Sequence, residues 1–237
     1  IKNKSTGSYS DISISSFYGS HIINCAGNGG IVCFNNYDQY IKAKLLRSWG
    51  RNSSLFDDSE KIENRFNIKL DKIEYDAKFV FSEIGYNFEP SEVGASFGLI
   101  QLKKLKKNNL LREKNFNNHM KFFNKFNKWF ILPKQEKNIN TGWLAFPLII
   151  SKNAPFTRKE IQIFLEKKNI QTRVIFTGNI LRQPGFKNIK CKVDKNGYKN
   201  ADYIMKNGFM IAVHHGLTRK MIKNLYSSFD MLFKLYN

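Results

Sequence analysis

Hydrophobic and polar residues alternate over 11–17, where Ile12 and Ile14 stand against Asp11, Ser13 and Ser15. That two-residue period predicts a strand. A glycine-rich turn at 26–30 (AGNGG) and a short apolar strand at 31–34 follow. From Tyr37 to Trp49 the spacing predicts a helix that stops at Gly50. Residues 51–74 keep no clean period and read as a loop or excursion. Pro90-Ser91-Glu92 opens a second helix, with proline near the first turn, where its missing N–H does no harm. Helical spacing continues to about Phe130 through Phe116, Met120, Phe123, Phe126 or Asn127, and Phe130 itself. Such an aromatic stripe is core packing rather than a ligand box. After Pro133 the pattern predicts a strand at 143–150, a helix from Pro155 to Lys168 capped by Thr157, and a strand at 172–176. A short helix from Asp202 to Lys206, a strand at 209–213 and an amphipathic helix from Thr218 to Tyr236 complete it. Strands alternating with helices predict α/β architecture.

Length adds that the 237 residues make one large or two small domains, at about 150 residues per domain. No apolar run approaches the roughly 18 residues of a membrane span, and no basic-then-apolar leader opens the chain. It begins at Ile1 rather than methionine, as a processed chain or a fragment of a longer one would. Cys25, Cys33 and Cys191 show no CxxC spacing and make neither a disulfide framework nor a zinc site. Free thiols fit a reducing cytosol. The net charge of +20 raises a nucleic-acid partner. The lysines, however, are spread along the chain among frequent Asn, Ile and Phe, as a genome-wide compositional bias would leave them. No nucleic-acid partner is therefore predicted, and an anionic small substrate is equally well served.

Candidate chemistry is sparse. There is no P-loop, no HExxH and no serine elbow, and Gly27, Gly29 and Gly30 stand too close together for a dinucleotide fingerprint. His119 falls in the phenylalanine-rich helix as a surface or packing residue. His214 and His215 follow a strand and precede Gly216. Neighbours point opposite ways, so at most one faces a site. His21 ends the segment SSFYGSH just before the glycine turn, the kind of strand end where functional groups gather. Histidine as a residue type can move a proton at working pH. Pattern and composition reach an α/β domain with His21 as a lead.

Several segments, taken in order, resemble the carboxyl-terminal part of the fold-type I pyridoxal-phosphate sugar enzymes of the DegT/DnrJ kind. Ser16-Phe17-Tyr18-Gly19-Ser20-His21 resembles that family's Ser-Phe-x-x-x-Lys segment, and Gly27-Asn28-Gly29-Gly30 its Gly-Glu-Gly-Gly turn. Gly85-Tyr86-Asn87, then Gly94, Ala95, Gly98 and Gln101 to Leu105, resemble its GYN and AAxGLxQLxKL stretches. Residues 172–179 (TRVIFTGN), Arg182-Gln183-Pro184, residues 154–158 (APFTR) and Gly216-Leu217-Thr218 are similar to the CDP-4-keto-6-deoxyglucose 3-dehydrase branch, which carries histidine at the lysine position.

The resemblance implies the end of a large cofactor domain over 1–110 and a small carboxyl-terminal α/β domain over 111–237. It implies pyridoxamine or pyridoxal phosphate held non-covalently, since histidine forms no Schiff base. His21 is then the proton carrier for loss of the C3 hydroxyl from a nucleotide-linked 4-keto-6-deoxy sugar in surface polysaccharide (lipopolysaccharide) biosynthesis. Ser16 is implied as a donor to the cofactor phosphate. Asn87 is implied to reach the same phosphate from the partner subunit of a cytoplasmic homodimer. Gly178, Asn179 and Arg182 are implied to lie near the nucleotide sugar. For the last two roles a turn residue at Asn87 and a solvated charge at Arg182 stay open.

Two departures qualify this. The dehydrase branch holds a [2Fe–2S] cluster through four cysteines after Trp-Gly-Arg, whereas Trp49-Gly50-Arg51 is followed here by Asn52-Ser53-Ser54-Leu55. Cluster iron needs thiolates, so neither that cluster nor another metal is expected. The second departure is that the resemblance begins just before the histidine strand. The half supplying a carboxylate to the pyridine nitrogen is not in the chain, so a lyase of the 3-dehydratase type would need a companion polypeptide or upstream sequence. A sugar aminotransferase and a catalytically inactive remnant or assembly subunit are the alternatives.

Overall fold

The computed structural model describes residues 1–236 and divides the chain into two units, Ile1–Lys104 and a second from Leu105 onward. In the first, β1 (Ile12–Ser16) pairs antiparallel with β2 (Gly30–Phe34), Ile12 opposite Phe34 and Ser16 opposite Gly30. Helix α1 (Tyr37–Arg47) starts where the Asn36 side chain accepts from the Gln39 N–H at 2.9 Å. It stops where Trp49 and Gly50 take positive φ of 58° and 81°. At Gly50 a β-carbon would collide with the Glu83 carbonyl, so the position requires glycine.

The stretch without period holds structure of its own. A one-turn helix α2 (Ile62–Arg65) leads into a hairpin of β3 (Ile68–Leu70) and β4 (Ile73–Tyr75), turning at Asp71 with φ 57°. An ion pair of Arg65 with Asp76 ties the two ends of this excursion. Strands of three residues are too short to display alternation, which is why the pattern hides them.

Helix α3 (Glu92–Phe123) is 32 residues long, and the boundary between the units falls inside it. It ends before the predicted limit. Phe130 belongs instead to strand β5 (Phe130–Ile131), opposite Ile150. Helical spacing carried through Phe130 because a buried strand residue after a turn lands on the same apolar face as the helix before it.

The second unit continues with β6 (Ala145–Ile150), α4 (Arg158–Lys167), β7 (Arg173–Val174), α5 (Lys199–Asn207), β8 (Gly208–Ala212) and α6 (Arg219–Lys234). Its sheet runs β5-β6-β8-β7, every pair antiparallel. Thr157 caps α4 in a capping box: its Oγ1 accepts from the Glu160 N–H at 3.3 Å, and a Glu160 oxygen accepts from the Thr157 N–H at 2.7 Å. Thr218 caps α6, as its hydroxyl position predicts. Strand β7 is shorter than 172–176 because the turn from Ile175 to Gly178 begins at once. Phe116, Phe123, Phe130, Phe146, Phe209, Phe229 and Phe233 form one buried aromatic core. No helix among the described residues is long and apolar enough to cross a membrane.

Candidate active site

Beyond Ser16 the pairing of β1 with β2 continues into a closed loop. Phe17 N–H donates to the Gly29 carbonyl at 2.8 Å, Gly19 N–H to Gly27 at 2.8 Å, and Cys25 N–H to Phe17 at 2.9 Å. His21 rides in this loop, its N–H donating to the Tyr18 carbonyl at 2.9 Å and its Nδ1 lying 3.1 Å from the Ser16 carbonyl. A carbonyl only accepts, so in the neutral ring that contact puts the proton on Nδ1 and the lone pair on Nε2. Nε2 has no hydrogen-bond partner among the described residues. A half-buried imidazole whose Nε2 is free of protein partners is placed to accept a proton and return it. The Ser16 hydroxyl oxygen accepts from the Tyr18 N–H at 3.3 Å, so its own proton remains available to a ligand.

The loop is seated on α3 by close approach. A β-carbon on Gly98 would lie 2.6 Å from the Cys25 sulfur, one on Gly94 2.9 Å from the Cys25 carbonyl, and one on Gly29 2.8 Å from the Cys25 β-carbon. Pattern found the glycines but not the residue they make room for; nothing about an isolated cysteine announces a packing peg.

Asn87 sits elsewhere in the first unit. Its segment is laced to the end of α1: Tyr86 N–H to the Leu46 carbonyl at 2.7 Å, Trp49 N–H to Tyr86 at 2.8 Å and Phe88 N–H to Arg47 at 2.9 Å. Asn87 is exposed and makes no hydrogen bond to Ser16 or His21. The structure therefore joins Ser16 and His21 by a hydrogen bond and ties the segment of Asn87 to the end of α1. Arg51, passed over in the sequence, lies over Trp49 at 4.4 Å, with Phe79 at 6.0 Å and Phe81 at 5.9 Å. Its Nε is buried without a partner.

In the second unit Gly178 takes φ 62°, and a β-carbon there would meet Met205 at 2.5 Å. Asn179 is almost wholly buried. Its oxygen accepts from the Leu181 N–H at 3.1 Å and its amide donates to Asp202 at 2.7 Å. Arg182 donates to the other Asp202 oxygen at 2.7 Å and through Nε as well. Gly178, Asn179 and Arg182 are thus gathered against α5, with Asp202 as the organiser that sequence reasoning missed. The bonds from Arg182, then Asn179, hold the Asp202 carboxyl down at about 2, so it stays ionised.

The remaining histidines divide. His119 is fully buried, Nε2 donating to the Ala212 carbonyl at 3.0 Å and Nδ1 accepting from the Tyr226 hydroxyl at 2.8 Å. Burial lowers its pKa, and burial pushes Tyr226 up to about 12. This is a packing residue. His214 and His215 do not point apart as strand alternation predicts. Their ring centroids lie 4.0 Å from each other, because β8 has already ended at Ala212 and a turn from His214 to Leu217 follows.

Ser16 and His21 fit the phosphate-side and proton-transfer needs of a pyridoxamine phosphate. No carboxylate among the described residues hydrogen-bonds to His21 or Ser16. Nor do three or more His, Cys, Asp or Glu side chains gather among the described residues as metal ligands would.

Comparison with known proteins is consistent across sequence and structure. A family model described as the DegT/DnrJ/EryC1/StrS aminotransferase family matches residues 1–230. Lipopolysaccharide biosynthesis protein RfbH of Salmonella typhimurium is 30% identical over 232 residues, 97% of this chain and 53% of that one. A dTDP-4-dehydro-2,6-dideoxy-D-glucose 3-dehydratase of Saccharopolyspora spinosa is 30% identical over 230 residues, 96% of this chain and 49% of that one. Among solved structures, Escherichia coli GDP-4-keto-6-deoxy-D-mannose-3-dehydratase with bound hydrated PLP superposes with a TM-score of 0.78 at 26% identity, over 95% of this chain and 56% of that one. The chain spans about half the length of the curated relatives it matches.

Proposed function

The chain belongs to the DegT/DnrJ/EryC1/StrS aminotransferase family, and from that premise we propose that it serves a 3-dehydratase acting on a nucleotide-linked 4-keto-6-deoxy sugar. The observation that carries this is the geometry of His21, with Nδ1 turned to the Ser16 carbonyl and Nε2 free, in the segment that resembles the family's lysine segment. Histidine cannot tether a cofactor covalently, but it can shuttle a proton without being consumed. Bound pyridoxamine phosphate would supply the electron sink that lets the 3-hydroxyl leave. Ser16 would donate a hydrogen bond from its hydroxyl to the phosphate, and His21 would take and return a proton at Nε2. RfbH is named for lipopolysaccharide biosynthesis, and the product is assigned to surface polysaccharide.

Assembly is part of the proposal. Ile84, Tyr86 and Phe88 beside Asn87 are 97%, 60% and 68% exposed. A second copy of the chain is proposed to cover them, with Asn87 reaching the cofactor phosphate of that partner. The reaction is placed in the cytosol, where the free thiols of Cys25, Cys33 and Cys191 persist. Residues 1–110 are proposed to complete a cofactor domain and 111–237 to form the small substrate-side domain.

The test is an assay of the chain with pyridoxamine phosphate and CDP-, GDP- and dTDP-linked 4-keto-6-deoxy sugars. It is run alone and with a polypeptide covering the other half of the relatives. Loss of the 3-hydroxyl that disappears in His21→Asn supports the reading. Glutamate-dependent formation of an amino sugar would replace it with an aminotransferase. A second reading, an inactive assembly subunit, is favoured by the sparse burial of the first unit, whose only buried apolar residues are Ala77 and Val80. Failure of every sugar in both formats would select it.

A further inference from the structure

Just past β7 one residue breaks the pattern of its neighbours. Ile175 presses on Gly208, where a β-carbon would meet its Cδ1 at 2.7 Å. The Thr177 carbonyl accepts from the Gln183 side chain at 3.1 Å, and the Gly178 N–H donates to the Ile175 carbonyl at 3.1 Å. Gly178 lies against Met205, and Asn179 and Arg182 are fastened to Asp202. Between these anchored residues Phe176 is 84% exposed, more than any other phenylalanine among the described residues. Its φ is 40°. A bulky aromatic residue is rarely found in the left-handed region, and the strain persists only where the surroundings hold it. An exposed phenylalanine also forgoes the burial that ordinarily keeps it in place. Strain and exposure thus coincide at one ring on a turn whose neighbours are anchored.

We propose that Phe176 is a stacking platform for the nucleobase of the substrate. The proposal rests on the reading of that substrate as nucleotide-linked and adds where the base sits. Every base presents a π-face to an aromatic side chain, so stacking is tolerant of base identity. Gly178, Asn179, Arg182 and Asp202 then act as positioning residues that stiffen the turn carrying the ring. Because both oxygens of Asp202 are occupied and Arg182 spends two of its donors there, the turn is fixed before any ligand arrives.

The experiment is a calorimetric titration of the full chain with CDP, GDP and dTDP, and with inorganic pyrophosphate as the probe that lacks a base. Phe176→Ala is expected to weaken the three nucleoside diphosphates about ten-fold and to leave pyrophosphate unchanged. Phe176→Tyr is expected to retain binding, and Phe176→Trp to report GDP by quenching of its added indole emission. An unchanged thermal melt of Phe176→Ala shows that the turn still folds. Equal affinities in wild type and Phe176→Ala overturn the proposal, as does a wild-type chain that binds nucleoside diphosphates no better than pyrophosphate. Loss of self-association in Phe176→Ala with nucleotide binding intact overturns it too, by assigning the ring to a contact between copies. Turnover is not read, so loss of dehydration in His21→Asn tests the parent reading and leaves these titrations untouched.

Discussion

The two units use the same hydrophobic alphabet to opposite effect. From Leu105 onward the apolar residues close on one another, with Phe123, Phe146, Phe209 and Phe229 wholly buried. In the first unit Ile12 and Ile14 of β1, Ile31 and Val32 of β2, and Val93 and Phe97 of α3 all remain exposed. A two-stranded hairpin is marginal in water unless a further strand or a helix covers its apolar face. The contrast teaches that an alternating pattern says which side chains need cover and nothing about which polypeptide provides it. The second unit answers that question with its own residues; the first does not.

The strongest way to break the contrast is to truncate one side chain in each unit. Phe229→Ala is expected to cost about 3–5 kcal/mol in denaturant unfolding. Ile14→Ala, at a position 78% exposed, is expected to cost below about 0.5 kcal/mol. Comparable losses would mean that the hairpin is covered in solution. Next in size is Gly50→Ala, which forces a β-carbon against the Glu83 carbonyl at φ 81°. It is expected to cost about 1–3 kcal/mol, read as faster hydrogen exchange at the Trp49 and Tyr86 amides with no change in the second unit. Thr157→Ala removes the capping box of α4 and is expected to cost about 1 kcal/mol, this time in the unit with the core. A Tm unchanged by that substitution would show that packing alone holds α4.

The smallest effect is a slope with pH. Burial lowers the pKa of His119, and burial lowers those of His214 and His215 as well. An unfolded chain therefore takes up protons near pH 6.5 that these folded histidines refuse. Their contribution is complete above the ordinary histidine value and is lost as pH falls through it toward their lowered values. Unfolding midpoints of the second unit should decline across that window, and less steeply in His119→Gln. A flat profile would mean that the folded histidines take up protons over the same range as the unfolded chain, so that burial does not lower their pKa.

Legibility followed the same division. Thr157, Thr218 and the phenylalanine stripe were readable because caps and helical spacing act within a few residues. Phe130 was misassigned to a helix because burial is shared by both kinds of element and spacing alone does not separate them. The β3–β4 hairpin was missed because Ile68–Leu70 and Ile73–Tyr75 are too short to show a period. At the candidate site the place of His21 before a glycine turn could be read from the sequence. Asp202 could not, since the partners that define it, Asn179 and Arg182, lie 23 and 20 residues away. The paired rings of His214 and His215 escaped for another reason: alternation is a property of strands, and the strand had ended.

The seat of Cys25 joins distant positions into one volume. Residue 25 fills the space that 29, 94 and 98 leave by lacking β-carbons. A lineage that enlarges any one of these four must shrink another, or else lift the histidine loop from the helix. They are expected to vary as a set, while Asn28, exposed among them, is free to drift alone.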